Sequence, residues 1–383
     1  DAQTGEKRLL GGHKSSATRT EFSPDGAYLI TGGWERELIC WDARTLKRAF
    51  TAFLNGFDGL FSADGRTYAL ATETGVQLHT FERAGGHREF AEDLGSRLLS
   101  AAFSPDSRWL TAAGREQLGV WDLQNGGPGA LATNAGDTRT EFAANGELFA
   151  DRRGAGFRWR VSPGPDAMSS PKLKSLELAV PAGFVSLCPV SNGVVISGAR
   201  GSALVGNEQL GAEPREWKRS VDGLNGVSPD GRWLAMFRSF TPHLVVHRLP
   251  GLERVAILTN ASSVHSFEFS PVGDELAVSC RVGGVEFWST ATWQRTRTIT
   301  NLNHQLYSAD GRTMWLTQQF RAGGLHDART LELLMPLPVG TYPLAVSPDG
   351  RRLAVSVDLR RLQVWDLVEV RRQLGEMGLD WRE

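Results

Sequence analysis

Apolar and polar residues alternate along most of the chain in short runs, the period-two pattern of strands buried on one face. In the first clear unit, ATRTEF (17–22) leads into the turn SPDG, followed by AYLITGG, ELICWD and KRAFTAF. These runs predict four antiparallel strands, called a to d in order, and the Asp-Gly turns suit tight hairpins. Helical periodicity is absent until about residue 368. There Val370, Leu374 and Met377 recur at helical spacing and predict a short amphipathic helix over Val368–Trp381.

The unit repeats. Turns resembling SPDG begin at Ser23, Ser62, Ser104, Ala143, Cys188, Ser228, Ser270, Ser308 and Ser347, 38 to 45 residues apart. Distant copies match in phase: TRTEF returns at 138–142, SADGRT occurs at Ser62 and Ser308, and WDARTL at Trp41 becomes HDARTL at His326. A period near 40 residues is that of a four-stranded propeller blade. The expected fold is therefore all-β, a closed β-propeller of four-stranded antiparallel blades with a short C-terminal helix. Nine blades are expected. Eight is the alternative, with one copy looped out near the weak fourth and fifth copies, which flank the Pro/Ser-rich stretch 162–172. Two separate propellers are disfavoured, since each would fall at or below the ~4-blade minimum.

Closure follows from the ends of the pattern. Asp1–Thr4 aligns with Asp42–Thr45, so the chain begins after a c strand and Lys7–Leu10 is a d strand without a, b or c. The ninth copy has a, b and c but no d. Pairing Lys7–Leu10 with Arg361–Asp366 would remove two exposed sheet edges. Residues 1–367 are thus expected to form one propeller and 368–383 a helical tail.

The residues resemble the WD-repeat family: Trp41-Asp42, Trp121-Asp122 and Trp365-Asp366 at c-strand ends, with Gly12-His13 and Gly86-His87. The resemblance spans residues 1 to about 367 and implies a propeller used as a binding platform. Most copies lack Gly-His, several lack Trp-Asp, and the Asp of the b–c turn is usually missing. The family's buried His–Ser/Thr–Asp–Trp hydrogen-bond set is therefore expected to be incomplete in most blades. The ending VWDLVEVRRQLGEMGLDW is similar to the C-terminal ends of bacterial WD-repeat proteins, some of which carry a serine/threonine kinase domain upstream.

Composition adds bounds. The formal charge of −1 argues neither for nor against nucleic acid, leaving the distribution of charge to decide. Cys40, Cys188 and Cys280 are odd in number, widely spaced and set in apolar runs, which reads as buried free thiols and mildly favours the cytoplasm. No run approaches a membrane span. The polar start and missing initiator Met suggest a piece of a longer protein, and a monomer is expected for the piece alone.

Motifs that carry chemistry are few. There is no P-loop, nucleotide-binding glycine motif between strand and helix, H-E-x-x-H or nucleophile elbow. His243 and His247 would bind one metal only on a helix; on a strand they stand ~13 Å apart. The turn aspartates recur blade after blade, as a turn-forming requirement does. No catalytic residue, metal or cofactor is expected. The rival reading, an enzyme of the central channel such as a hydrolase or lyase, requires perturbed titratable groups from a few unequal blades.

The distinctive feature is arginine in the b–c loops, which in this family share one face, the top, with the d–a loops. Arg36, Arg115, Arg153 (or Arg152), Arg200, Arg238, Arg281, Arg321 and Arg360 (with Arg361) occupy eight of nine such loops, and Glu73 the other. Trp34, Phe240 and Phe320 lie in the same loops as candidate anchors, with Phe57 and Tyr342 nearby. One reading makes these arginines local loop residues paired with carbonyls or with Glu35, Glu116 or Asp151. The other makes them a ring facing an anionic partner, since guanidinium suits bidentate contacts with carboxylate or phosphate. The opposite face should be nearly neutral, because Asp there is often followed by Arg. The expected function is a non-catalytic protein or peptide scaffold, with an acidic or phosphorylated partner. Nucleic-acid binding is possible but not favoured, and no membrane insertion is expected.

Overall fold

The computed structural model describes residues 7–376, apart from 8–9, 11–12, 14–15, 35–36, 44–45, 47, 54–55, 66, 73–74, 81–86, 91–93, 95–96, 99, 115–116, 126–128, 134–138, 153, 166–168, 182, 213, 215, 219–223, 239, 319–321, 339 and 358. The described residues contain nine antiparallel sheets, a single 3-10 turn at Asn207–Gln209 and one α-helix, Leu367–Glu376. Chain contacts divide them into two compact units, Asp1–Gly85 and Gly86–Glu383.

The first unit holds two sheets. Ala17–Phe22, Tyr28–Gly33, Glu37–Asp42 and Arg48–Phe53 form the first; Gly56–Phe61, Thr67–Thr72 and Gly75–Thr80 form the second. They pack through Ile30, Leu38 and Cys40 against Tyr68 and Leu70. Glu21 accepts the Phe61 backbone N–H at 3.3 Å, which fixes the two sheets in register.

The second unit is a closed ring of seven sheets, beginning at Ser100, Arg139, Phe184, Leu224, Val264, Asn303 and Thr341; they are numbered third to ninth. Each sheet's first strand touches the first strand of the next, and the ninth sheet's Thr341–Val346 touches the third sheet's Ser100–Phe103. Strand order within a sheet follows a to d, as the repeats predict. Among the described residues the fifth sheet has three strands, with one outer bridge, Ser202 to Lys218.

The closing strand differs from the expectation. The edge of Arg361–Asp366 is filled by His87–Phe90, with Leu362 opposite Phe90 and Trp365 opposite His87, rather than by Lys7–Leu10. Instead of one ring of nine or eight blades over residues 1–367, seven sheets close within the second unit. By spacing, His87–Phe90 is the d strand of the second repeat. The physical reason for its placement is burial: Phe90, Leu94 and Leu98 become 5, 1 and 3% exposed among Leu110, Trp121, Leu362 and Val364. Burying each such side chain is worth about 1.5–3 kcal/mol. Polar contacts lock the same seam. Leu98 N donates to Leu359 O at 2.7 Å, Arg352 to Ser107 O at 2.9 Å, and Asp349 N to Ser107 Oγ at 3.3 Å.

The repeated turns explain the Ser-x-Asp pattern. Ser23 Oγ donates to Asp25 at 2.6 Å and accepts the Tyr28 N–H at 2.9 Å, and the same arrangement recurs at Ser62, Ser104, Ser228, Ser308 and Ser347. Gly26 sits at φ +68° there, a left-handed conformation that glycine adopts without steric cost. The turn aspartates are structural, as expected.

Cys40, Cys188 and Cys280 are all free and buried. The helix begins on Asp366, whose Oδ1 accepts the Val368 and Glu369 N–H groups. Leu367, Val370 and Leu374 pack on the cluster around Trp315, Leu353 and Val355, so the apolar stripe docks within the ring. Met377 and the rest of the expected tail lie outside the described residues.

Candidate functional site

Of the expected top-face residues, Arg36, Arg115, Arg153, Arg321 and Phe320 lie outside the described residues. Trp34 is 71% exposed and belongs to the first unit. Arg200, Arg238, Arg281 and Arg360 are exposed in the second unit, in turns of the fifth, sixth, seventh and ninth sheets.

Two of the candidates meet. Phe240, 75% exposed, stands in the turn between Trp233–Phe237 and His243–Arg248. The Arg281 guanidinium, from the turn after Glu275–Cys280, lies 4.7 Å from the Phe240 ring centroid. A cation over an exposed ring at this distance is worth about 0.5–1 kcal/mol and orients the guanidinium. Phe240 holds φ +67°, which is unusual for a bulky residue and indicates a turn fixed by its surroundings.

The surroundings are a hydrogen-bonded frame. Arg238 O accepts from both Thr241 N and Thr241 Oγ1, and Thr241 O accepts the Val264 N–H at 2.9 Å. Asn260 donates twice to Pro242 O and accepts the Trp288 indole N–H at 3.2 Å. Ser262 Oγ donates to Val282 O at 2.6 Å and accepts Val282 N at 3.0 Å, while Arg281 N donates to Ser263 O at 2.9 Å. The turns of the sixth and seventh sheets are thus tied together, and Val282, 71% exposed, extends the apolar part of the surface.

The exposed charge of this surface is one-sided; Glu286, a carboxylate that reaches it, is buried and accepts the Ala261 N–H at 2.8 Å. The four top segments 238–243, 259–266, 280–284 and 300–305 contain Arg238, Arg281, His243, His265 and His304, and not one Asp or Glu. Sequence reasoning found the arginines and Phe240 but missed His265 and Val282. The signal that could have found the patch was the run of acid-free loops, visible only after adjacent sheets are matched.

The other end of the ring is different. A cavity of about 1110 Å³ opens among the seventh, eighth and ninth sheets, lined by Asp310, Arg312, Asp327, Arg329, Asp349 and the helix residue Arg371. Acid and base alternate around it, and Asp310, Asp327 and Asp349 are tied into their own turns. It therefore offers no bias toward either charge.

Titratable groups also gather on the inner strands. Arg139 reaches past the fifth sheet to Asn225 O on the sixth and pairs with Glu141 at 3.5 Å. Asp151, pushed up to about 6 by burial, accepts the Leu187 N–H at 2.6 Å. Burial holds the Cys188 thiol far above its usual range, the opposite of an activated nucleophile. His304 is pushed down to about 3 by burial, and Glu268, 3.6 Å away, up to about 8 by burial. His243 and His247 do not form a pair: His247 is buried on Leu252 O, His243 exposed beside Thr259. Among the described residues no group of His, Cys, Asp and Glu could hold a metal ion.

Glu268 has a measurable consequence. Its folded-state pKa is raised, so the folded state retains a proton that the unfolded state loses above about pH 4.5. Stability is thereby lost as pH rises from about 4.5 to about 8. Because 37% of the side chain reaches solvent, screening limits the effect to about 1 kcal/mol. Glu268→Gln, which still accepts the Tyr307 N–H, should raise stability by this amount at about pH 8 and leave it unchanged at about pH 4.5. Denaturant unfolding of both proteins at the two pH values checks this; equal gains at both would refute it.

Comparisons with known proteins bear on the fold. Residues 5–42 match the family model "WD domain, G-beta repeat". In that copy His13 Nε2 lies 2.8 Å from Thr31 Oγ1, which accepts the Trp41 indole N–H at 2.9 Å, so three members of the family's hydrogen-bond set are present. The chain is 27% identical over 121 residues to the small ribosomal subunit protein RACK1y of Oryza sativa subsp. japonica, covering 30% of this chain and 35% of that protein. It is 43% identical over 49 residues to NET1-associated nuclear protein 1 of Saccharomyces cerevisiae, 13% of this chain and 6% of that one. These matches span well under half of either relative. A chain of the crystal structure of the mitotic checkpoint complex superposes with a TM-score of 0.54 at 15% identity, over 76% of this chain and 97% of that one. At that identity the likeness speaks for the fold alone: this is a β-propeller with a WD-type repeat at residues 5–42.

Proposed function

We infer that the chain is a non-catalytic protein- or peptide-binding scaffold whose second unit docks an acidic or phosphorylated segment on the top of its sixth and seventh sheets. The observation that carries this reading is the Arg281–Phe240 contact within four acid-free segments. An exposed aromatic beside a pre-oriented guanidinium is the usual composition of an interaction hot spot. The WD-type match at residues 5–42 agrees with a role in assembly. The inner-strand acids and bases serve backbone groups of neighbouring sheets, which supports a structural role over a catalytic one.

Exposed charge pairs contribute only about 0–1 kcal/mol each, so single changes should weaken binding slightly. The double variant Arg238→Glu and Arg281→Glu should lower affinity for an acidic or phosphorylated peptide by more than about tenfold, with a melting temperature lowered by no more than about 4 °C. Peptide titration by calorimetry is the measurement. Affinity unaffected by the double reversal would end this reading. Tighter binding of a single-stranded oligonucleotide than of any peptide, with a steep loss in salt, would favour the nucleic-acid alternative.

A further inference from the structure

The seventh sheet carries a titratable group where its neighbours do not. Pairing between Val264–Phe269 and Glu275–Cys280 places Val264 opposite Cys280 and Ser266 opposite Ser279, leaving His265 as a bulge residue. A bulge bends its strand and re-aims the extra side chain. Bulge residues also interrupt the first strands of five other sheets, at Thr18, Phe57, Val185, Gln305 and Leu344. None of those five titrates near neutral pH. The device is common to the fold, and the imidazole is particular to the sheet that also bears Arg281.

His265 is exposed on the acid-free surface. Arg281 is joined to its strand by the Arg281 N to Ser263 O hydrogen bond. Partial burial of the ring, then the Arg281 charge, hold the His265 pKa below the usual imidazole value. Arg281 is the charge that acts on it. Its own sheet also carries Glu268 on the same strand, Cys280 opposite Val264, and Glu286, whose Oε1 accepts the Ala261 N–H; the sixth sheet carries Arg238 and His243. The segment leading into the eighth sheet adds His304, which is buried. The four segments contain no carboxylate, and Glu286, which reaches one of them, is buried and engaged by Ala261 N and Arg295.

We propose that His265 and Arg281 together grip a carboxylate of an acidic partner segment, so that binding takes up a proton and tightens as pH falls. This rests on the top-face reading above. The sign follows from linkage. The neutral imidazole of the free protein gains little from the partner, whereas a carboxylate beside it stabilises the imidazolium and raises its pKa on binding. Affinity then increases as pH falls through the bound-state pKa and levels off below the free-state one. A carboxylate partner keeps its own charge over this range, its pKa being about 4. A phosphate ester, with a second pKa near 6, would lose charge and oppose the trend.

The test uses the whole chain and a capped peptide of glutamates flanking one phenylalanine. Calorimetric titration at about pH 7.5 and about pH 5.5 should show roughly five- to tenfold tighter binding at the lower pH. His265→Gln should bind within about twofold of the parent at the higher pH and lose the pH dependence. No binding by the parent at either pH would overturn the top-face reading and this proposal with it. Binding with no pH dependence, or a dependence that His265→Gln retains, would overturn this proposal alone. A ligand-free readout is separate: in histidine-labelled protein, Arg281→Gln should raise the His265 pKa measured by NMR. An unchanged pKa would show that the two groups are not coupled and overturn the shared grip.

Discussion

Phe90→Ala is expected to lower the stability of the ring by about 3–5 kcal/mol, the range for removing a buried aromatic from a packed core. Phe90 is 5% exposed, and its ring centroid lies 5.6 Å from that of Trp121. It also sits on the closing strand, opposite Leu362, so the cavity would open at the seam that joins the ninth sheet to the third. Hydrogen exchange should report this locally. Amides of Arg361–Asp366 that donate to His87–Phe90 should lose protection in Phe90→Ala, before those of the fifth or sixth sheet. Leu10→Ala is the control. A ring closed by Lys7–Leu10 would reverse the order of the two effects, with Leu10→Ala exposing Arg361–Asp366 and Phe90→Ala sparing it.

That contrast marks where the sequence stops being readable. Period, turn chemistry and alternation are local properties, and they located the nine copies and the a-to-d order that the sheets follow. Closure is not local. Lys7–Leu10 and His87–Phe90 both present a basic residue followed by an apolar end, and both lie where a d strand is due. What separates them is the burial of Leu94 and Leu98 beyond the strand, in a segment with no recognisable period. The fifth sheet shows the same limit, since among the described residues its outer edge is one bridge at Lys218, which no alternating run announces.

The candidate site was partly legible for a related reason. Arg281 and Phe240 stand 41 positions apart, one repeat, so matching loops across the repeats predicts that they share a face. It does not predict that they touch, because the approach depends on Phe240 adopting positive φ and on Asn260 bracing Pro242. His265 was less legible, because a break in alternation marks a bulge only weakly. Its strand, VHSFEF, sets two polar residues in succession at His265-Ser266, a break in the alternation that becomes a bulge only when the two strands are paired.

Gly119→Ala should be the most damaging single-methyl change in the third sheet, costing about 3 kcal/mol. A methyl carbon on Gly119 would lie 2.7 Å from Trp121 Cζ2 and closer still to Cη2. Trp121 follows two residues later on the same strand, so its indole lies across Gly119 on the same face. The ring cannot swing away, because it is 1% exposed and packed between Leu110, Leu362 and Phe90. The two largest predictions therefore act on one indole, and they should not add. In the Phe90→Ala background the vacated space lets Trp121 shift, and the cost of Gly119→Ala should fall by at least about 1 kcal/mol. A double-mutant cycle in denaturant measures that difference directly. Strict additivity would mean that Trp121 does not transmit strain between Gly119 and the closing strand, and that the seam and the third sheet are held independently.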